Sequence, residues 1–540
     1  MPKSIDFRAP KRSIHEVCEH RSTENQSNLA KIVEMSTDPR YTQVEVILDI
    51  KTEKQTYQNY LTNAVFVLAF LLVARIIANY FIPLNDATEA RYGEIARKML
   101  ETGNWVTLLH DYGIPFWAKP PLSTWLSALS MKLLGVNEFA ARLPALILSI
   151  GILWLIWDLV KKHSGLNTAL VSILVLASTI YFFLDAGAVM TDPSLLFCTT
   201  LSTVAFWHAI VNKNRQWSYV FFIGLGLGLL AKGPIAIVLV GLPLFFWVLL
   251  RNQWINLWRR LPWIKGTLVL VAIALPWYIL AEIRTPGFLN YFIVGEHLNR
   301  FLVPGWTGDK YGVAHNAPKG MIWLYAVVGI FPWSIVGGKW FVTHRKKIPS
   351  LFQDEDGWMS YWCICMLAPL VFFTFAGNII YPYVFPSLPA FALIFAEIWS
   401  RSKQSLNSSK WILYLSLLCG VFFLAVTLMF EIKPNWVAKT QKSVIGAWIN
   451  QQPTRGSNLV YWEGKTQFSA QFYSAGIAKA TQNTHDLCIL LSNNLDNYLV
   501  INSKLVKEIP KDLFSKCKPV KTIVFKDEQM LLLHCPVLSC

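Results

Sequence analysis

The chain has 540 residues, 54% of them hydrophobic and only 15% charged, whereas soluble domains run nearer a quarter charged. With 33 Phe, 23 Trp and 19 Tyr, this composition argues against a string of soluble domains, a disordered chain and a coiled coil. It points to a polytopic membrane protein with some soluble part. The net charge of +16 would raise nucleic acid in a soluble protein; here it is the excess expected in short cytoplasmic loops.

Residues 1–60 are polar, without a long apolar run. They lack the basic-then-apolar start of a signal peptide and read as a cytoplasmic extension, either disordered or an over-long start. From residue 62, apolar runs predict spans at 62–83, 140–160, 166–184, 194–211, 217–231, 234–250, 263–282, 320–338, 359–376, 381–399 and 411–430, many long enough for ~30 Å of hydrocarbon.

If the first span runs from cytoplasm to outside, the inside loops carry Lys161-Lys162, Lys213 to Arg215, Arg251 to Arg260, His344 to Lys347 and Arg401 to Lys410. All are basic. The opposite loops carry the acids Asp86, Glu89, Asp185 and Asp192, with some bases. This alternation predicts the N-terminus inside and the C-terminus outside. GLGLGLL at 224–230 lies mid-membrane with no strand before it, so it reads as close helix packing rather than a phosphate loop.

Two outer loops are long, as functional loops often are. The first, 84–139, holds predicted helices at 87–102 and 121–135. Asp86 and Glu89 are spaced for a capping box, with Gly103 ending the helix; the same pair could accept a proton or hold a metal. In FWAKPPL, Lys119 sits between Trp117 and Pro120-Pro121, either snorkelling to headgroups or holding a lipid-linked phosphate. Asp192, before Pro193, reads as an N-cap or a site acid.

Lys232, between two spans on the outer side, breaks the positive-inside pattern and is a functional candidate. The second loop, 283–319, carries His297 and Arg300, three apart and on one face if helical. Together, Asp86, Glu89, Lys119, Asp192, Lys232, His297 and Arg300 map to one side of the membrane. That pattern suits an amphiphile with a charged head.

After 431 the chain turns polar. A helix is expected over 434–451, with strands at 457–462, 487–492 and near the end, forming a small α/β domain. The expected organisation is 1–60, a cytoplasmic extension; 61–431, the transmembrane part; and 432–540, a periplasmic domain. Its Cys488, Cys517, Cys535 and Cys540 could pair in an oxidising compartment, but spacing does not choose the pairing. The nine cysteines form neither a disulfide scaffold nor a zinc cluster; Cys363 and Cys365 lie in an apolar run.

In order, NDATEARYGEIARKMLETGNW, FWAKPPL, MTDP, LLAKGP, EHLNRF and NIIYPYVFPSLPAF resemble the bacterial transferases that place 4-amino-4-deoxy-L-arabinose on lipid A. These belong to the wider GT-C family that includes dolichyl-phosphate-mannose-type protein mannosyltransferases. The resemblance covers roughly 62–430, and the C-terminal part more loosely. It implies a polytopic α-helical GT-C fold of about 11–13 membrane helices with a small C-terminal α/β domain, in a bacterial inner membrane. It also implies a polyprenyl-phosphate sugar donor, such as undecaprenyl phosphate, and a lipid A or other periplasmic glycan or protein acceptor.

By that resemblance the first-loop acid, Asp86 or Glu89, is the catalytic candidate. Lys119 meets the lipid phosphate, and Arg91, Tyr92, Asp192, Lys232, His297, Arg300 and Tyr383 line the substrate cavity. Inversion at the anomeric carbon follows from the resemblance alone.

The chain departs from the aminoarabinose transferases at three places. They have Asp-Glu where Thr88-Glu89 stands, Glu-Lys-Pro where Ala118-Lys119-Pro120 stands, and a lysine where Asn378 stands. The missing glutamate, replaced by Ala118, disfavours a divalent metal at His297 without excluding one, and no other cofactor is implied. These departures leave open a sugar or acceptor different from aminoarabinose and lipid A. Rival classes are a lipid-linked-sugar flippase, whose site would centre nearer the midplane, and an assembly protein, which leaves the first-loop charges without a role.

Overall fold

The computed structural model describes residues 43–312, 317–345, 349–401, 410–493, 495–509 and 511–536. Most of the expected N-terminal extension, most of the basic loop 401–410, part of the loop 344–347 and Cys540 lie outside the described residues.

Helix α1 (Gln43–Phe81) contains the first span and extends it back into the polar region. In the first outer loop, α2 (Thr88–Thr102) ends at Gly103, whose φ of 65° supplies the left-handed C-terminal turn. A short hairpin follows, β1 (Leu109–Asp111) and β2 (Ile114–Pro115). Then come α3 (Leu122–Leu134) and α4 (Glu138–Ser164), the latter capped by the Asn137 side chain.

The expected span 166–184 is broken into α5 (Leu166–Ser178) and α6 (Ile180–Asp185). Thr179 is extended, and the Ile180 amide donates to the Phe331 carbonyl at 3.2 Å. Next are α7 (Asp192–Ile210), α8 (Arg215–Lys232), α9 (Ile235–Leu250), α10 (Trp254–Arg260) and α11 (Trp263–Arg284).

The second outer loop contains a π-helix, Asn290–Asn299. The expected span 320–338 is α12 (Met321–Gly329) and α13 (Trp333–His344), bent by 106°. Pro332 between them lacks the amide a continuous helix needs. After α14 (Trp358–Thr374), a 3₁₀ turn at Tyr381–Ser387 leads into α15 (Leu388–Arg401), and α16 (Lys410–Ile432) completes the bundle.

Among the described residues six helices are long and apolar enough to cross a membrane, seven if the bent pair is one span. Each of the eleven expected spans is a helix or broken helix. Apolar side chains such as Phe66, Leu268 and Leu418 remain outward-facing, as lipid contact requires. The glycine run packs closely: a Cβ at Gly224 would lie 2.3 Å from Ser202 Oγ, and one at Gly228 would lie 2.8 Å from Ala236 Cβ. The molecule is a multi-pass membrane protein.

The C-terminal region is a five-stranded sheet with helices on both faces. Its elements are α17 (Lys442–Ile449), β3 (Leu459–Trp462), α18 (Phe468–Tyr473), β4 (Ala478–Thr481), α19 (Thr484–Leu491), β5 (Asn497–Asn502), β6 (Lys518–Val524) and β7 (Gln529–Cys535). The order is β4-β3-β5-β7-β6, with β4, β3 and β5 parallel and β7 antiparallel to both neighbours.

Residues 487–492, expected as a strand, are mostly helix α19. Asn483 caps it by accepting from the His485 amide, and Leu487 and Leu491, four apart, bury one face.

Cys517 and Cys535 are bonded and close an 18-residue separation. Reducing this bond is expected to destabilise the sheet by about 3 kcal/mol. Denaturant midpoints with and without reductant would test this.

Candidate active site

Glu296 organises a cluster of charges in the interhelical loops, and the π-helix aims it at two cations. Its Oε2 accepts from Lys119 Nζ at 2.8 Å and from Arg300 Nη1 at 3.0 Å, while Oε1 accepts from the Tyr291 hydroxyl at 3.2 Å. Burial works to raise its pKa, but the charges of Lys119 and Arg300 prevail and hold it at about 2. Burial, against the pull of Glu296, brings Lys119 below the usual lysine value. Lys119 also donates to the Ala118 carbonyl at 2.7 Å, which leaves one of its three N–H donors for a ligand. Arg300 additionally pairs with Asp309 at 3.3 Å.

The second pair joins helix ends. Lys232, at the end of α8, places Nζ 2.5 Å from Oδ1 of Asp192, at the start of α7. The helix cap is Thr191, so Asp192 is not the N-cap; its carboxylate serves the lysine instead. The Tyr383 ring lies 5.6 Å from Lys232 Nζ and stacks on Phe373.

His297 does not share partners with Arg300. Burial lowers its pKa. Its Nδ1 lies 2.8 Å from the Phe292 carbonyl and its Nε2 lies 3.2 Å from the Lys232 carbonyl. Both nitrogens therefore face backbone oxygen, and among the described residues no three His, Cys, Asp or Glu groups converge.

Arg91 donates to the Tyr311 carbonyl at 2.5 Å and lies over the Tyr92 and Phe116 rings. Lys310 lies 4.4 Å from the Trp117 ring centroid. Counting Lys119, Lys232, Arg300, Arg91 and Lys310 against Glu296, Asp192 and Asp309, this aromatic-walled region carries excess positive charge.

The first-loop acids are placed elsewhere. No capping box forms: Ala87 is the N-cap, without a side-chain cap. Glu89 instead accepts two bonds of 2.8 Å from Arg142, and its Oε2 accepts from the Asn85 amide at 3.3 Å. Asp86 is outside the cation cluster. Its carboxylate accepts from the Ser469 amide at 3.0 Å and from the Ser469 hydroxyl, fastening the first loop to α18.

Burial raises Asp86 to about 6, against the bonds from Ser469. An acid raised on folding binds its proton more tightly in the folded state. Its stabilising contribution is therefore full at acid pH and falls as pH rises from about 4 to about 6. Two pKa units correspond to roughly 3 kcal/mol. Hydrogen exchange at the Ser469 amide should lose protection across that window, and Asp86→Asn should flatten the dependence.

Sequence reasoning missed Glu296, Asp309, Lys310 and Arg142. Glu296 did leave a signal, a glutamate four residues before an arginine. Asp309 and Lys310 had only a polar turn to mark them, and Arg142 had only its place near the start of α4.

A helical bundle with two long interhelical loops and a C-terminal α/β unit is a fold shared with a solved membrane protein. Crystalline ArnT from Cupriavidus metallidurans bound to undecaprenyl phosphate superposes with a TM-score of 0.70 at 17% identity, covering 87% of this chain and 97% of that one.

In sequence the chain is similar to aminoarabinose transferases. It is 28% identical over 346 residues to undecaprenyl phosphate-alpha-4-amino-4-deoxy-L-arabinose arabinosyl transferase 1 of Pseudomonas fluorescens (strain Pf0-1), covering 60% of this chain and 56% of the relative. To the corresponding transferase of Edwardsiella ictaluri (strain 93-146) it is 24% identical, covering 62% and 59%. Residues 63–292 match the family model described as dolichyl-phosphate-mannose-protein mannosyltransferase. The chain spans about three fifths of the length of these curated relatives.

Proposed function

We propose that the chain is a glycosyltransferase of the bacterial inner membrane. In this reading it moves a sugar, an amino sugar such as aminoarabinose, from undecaprenyl phosphate to lipid A on the periplasmic face, with the N-terminus inside and the α/β unit outside. The observation that carries the reading is the cation cluster around Glu296 and Asp192, with excess positive charge between aromatic walls. The names of the relatives and the undecaprenyl phosphate held by the Cupriavidus protein support it.

In the reaction, the bond between the anomeric carbon and the donor phosphate breaks while a bond from an acceptor oxygen forms on the opposite face. The leaving polyprenyl phosphate gains negative charge. Lys119, Lys232 and Arg300 face that charge as fixed donors, which favours the transition state. Donor and acceptor must share one cavity for in-line attack.

A hydroxyl acceptor would need a base, but Asp86 is committed to Ser469 and Glu89 to Arg142. An ionised lipid A phosphate needs none, so this acceptor fits better. Asp86 then holds the α/β unit against the first loop.

Purified protein given undecaprenyl-phosphate-linked sugar should release undecaprenyl phosphate only when lipid A is added, with a matching lipid A mass gain. Donor that stays intact with every acceptor would refute the enzyme and favour a flippase.

A further inference from the structure

A groove of about 550 Å³ lies between the first-loop hairpin and the C-terminal unit, apart from the cations around Glu296. That volume lies in the range of small-ligand sites, which favour junctions between units. Asp111 and Tyr112 form one wall; Thr466 and Gln471 contribute polar groups from the C-terminal unit, and Asp486, Ile489 and Leu490 from α19.

The facing wall is β4. All four of its residues, Ala478 to Thr481, line the groove. Successive strand side chains point to opposite faces, so four consecutive lining residues mean that the strand edge forms the wall. β4 ends the sheet, and its outer backbone donors and acceptors face this space.

The groove residues are held by charges the transfer site does not use. Glu94 and Lys98 are wholly buried in α2, 3.7 Å apart, and Glu94 also binds Arg97. Lys98 donates to Asp111 Oδ1 at 3.0 Å and to Gln471 Oε1 at 3.0 Å. Arg97 donates to the Tyr112 hydroxyl at 2.9 Å, and that hydroxyl donates to Glu101.

Burying such charges is expensive, and what they fix outward is chiefly Asp111, Tyr112 and Gln471. The Tyr112 ring is 46% exposed although its hydroxyl is anchored. A Cβ at Gly476 would lie 2.6 Å from that hydroxyl, so a glycine lets the two walls meet.

We propose that this groove binds sugar rings of the acceptor glycan, outside the transfer site. A fixed exposed tyrosine, carboxylates, an amide, threonine hydroxyls and an open strand edge offer a sugar both an apolar surface and many hydrogen bonds. Asp111 and Asp486 against Lys479 disfavour phosphate, so the ring bound is neutral or amino-substituted. The hairpin continues through residues 114–118 to Lys119, so one loop carries both a wall of the groove and a residue of the cation cluster. The acceptor role rests on the glycosyltransferase reading; the binding itself does not.

Full-length protein in detergent would be titrated with N-acetylchitotriose and with its de-acetylated form, using inorganic phosphate as control. Saturable binding of either sugar but not of phosphate is expected. Ala480→Trp, which fills the groove, and Asp486→Ala should each weaken it at least tenfold, with undecaprenyl phosphate binding unchanged. In the transfer assay both variants should raise KM for a glycan-bearing acceptor about tenfold with kcat within twofold.

Absence of sugar binding, or binding that both variants leave intact, overturns the proposal. So does preferential binding of an extended peptide, which would add to β4 as a strand. Sugar binding without any transfer activity would keep the groove and refute the enzyme instead.

Discussion

The Lys119→Met protein is expected to insert and fold like the wild type but to lose transfer by ~10²–10³-fold in kcat, the usual effect of removing one donor aimed at developing charge. Folding survives because Glu296 keeps Arg300 and Tyr291 as partners. The loss is electrostatic, since the ammonium that faces the leaving phosphate is gone.

In the wild type the lysine must be protonated, and burial lowers its pKa. Activity is therefore present at low and neutral pH, and it falls on the basic side earlier than an ordinary lysine would allow. A pH profile of kcat in both proteins checks this. Wild-type rates from a normally inserted Lys119→Met protein would remove Lys119 from the mechanism.

The Arg142→Met protein is expected to lose about 3–5 kcal/mol of stability, the range for one partner removed from a buried ion pair. Arg142 is 1% exposed. Besides Glu89 it serves the carbonyls of Asn79 and Pro83, at 3.2 and 3.1 Å, and that of Ile82. Its loss strands a carboxylate and leaves three acceptors at the junction of α1 and α2 without this donor. Combining it with Glu89→Gln should restore part of the loss, because the stranded charge disappears while the carbonyls stay unserved. Thermal unfolding of the detergent-solubilised proteins would show a large drop for the single variant and a smaller one for the double. An unchanged midpoint would refute the assignment.

Hydropathy revealed the bundle because lipid demands long apolar runs. It did not reveal the breaks at Thr179 and Pro332, where distant backbone groups meet. The 487–492 segment misled because a short apolar run has no clear period; the Asn483 cap was the better guide. In the site, Lys119 and Lys232 stood out as lysines in apolar surroundings. Their partners Glu296 and Asp192 are long-range choices, separated by 177 and 40 residues, and spacing cannot supply them. Asp86 looked like a cap or a base, and its engagement with Ser469 required the fold of the C-terminal unit.

In the proposed site, the carboxylates beside Lys119, Lys232 and Arg300 would make phosphate capture an exchange rather than a simple attraction. A bare cationic patch collects mobile ions and releases them when an anion arrives, so its affinity drops steeply with salt. Here the neutralising charges are tethered and stay in the site. Donor affinity should thus vary only shallowly with ionic strength, and small inorganic anions should compete poorly. An effective inhibitor would have to carry the lipid tail or the sugar as well as the negative charge.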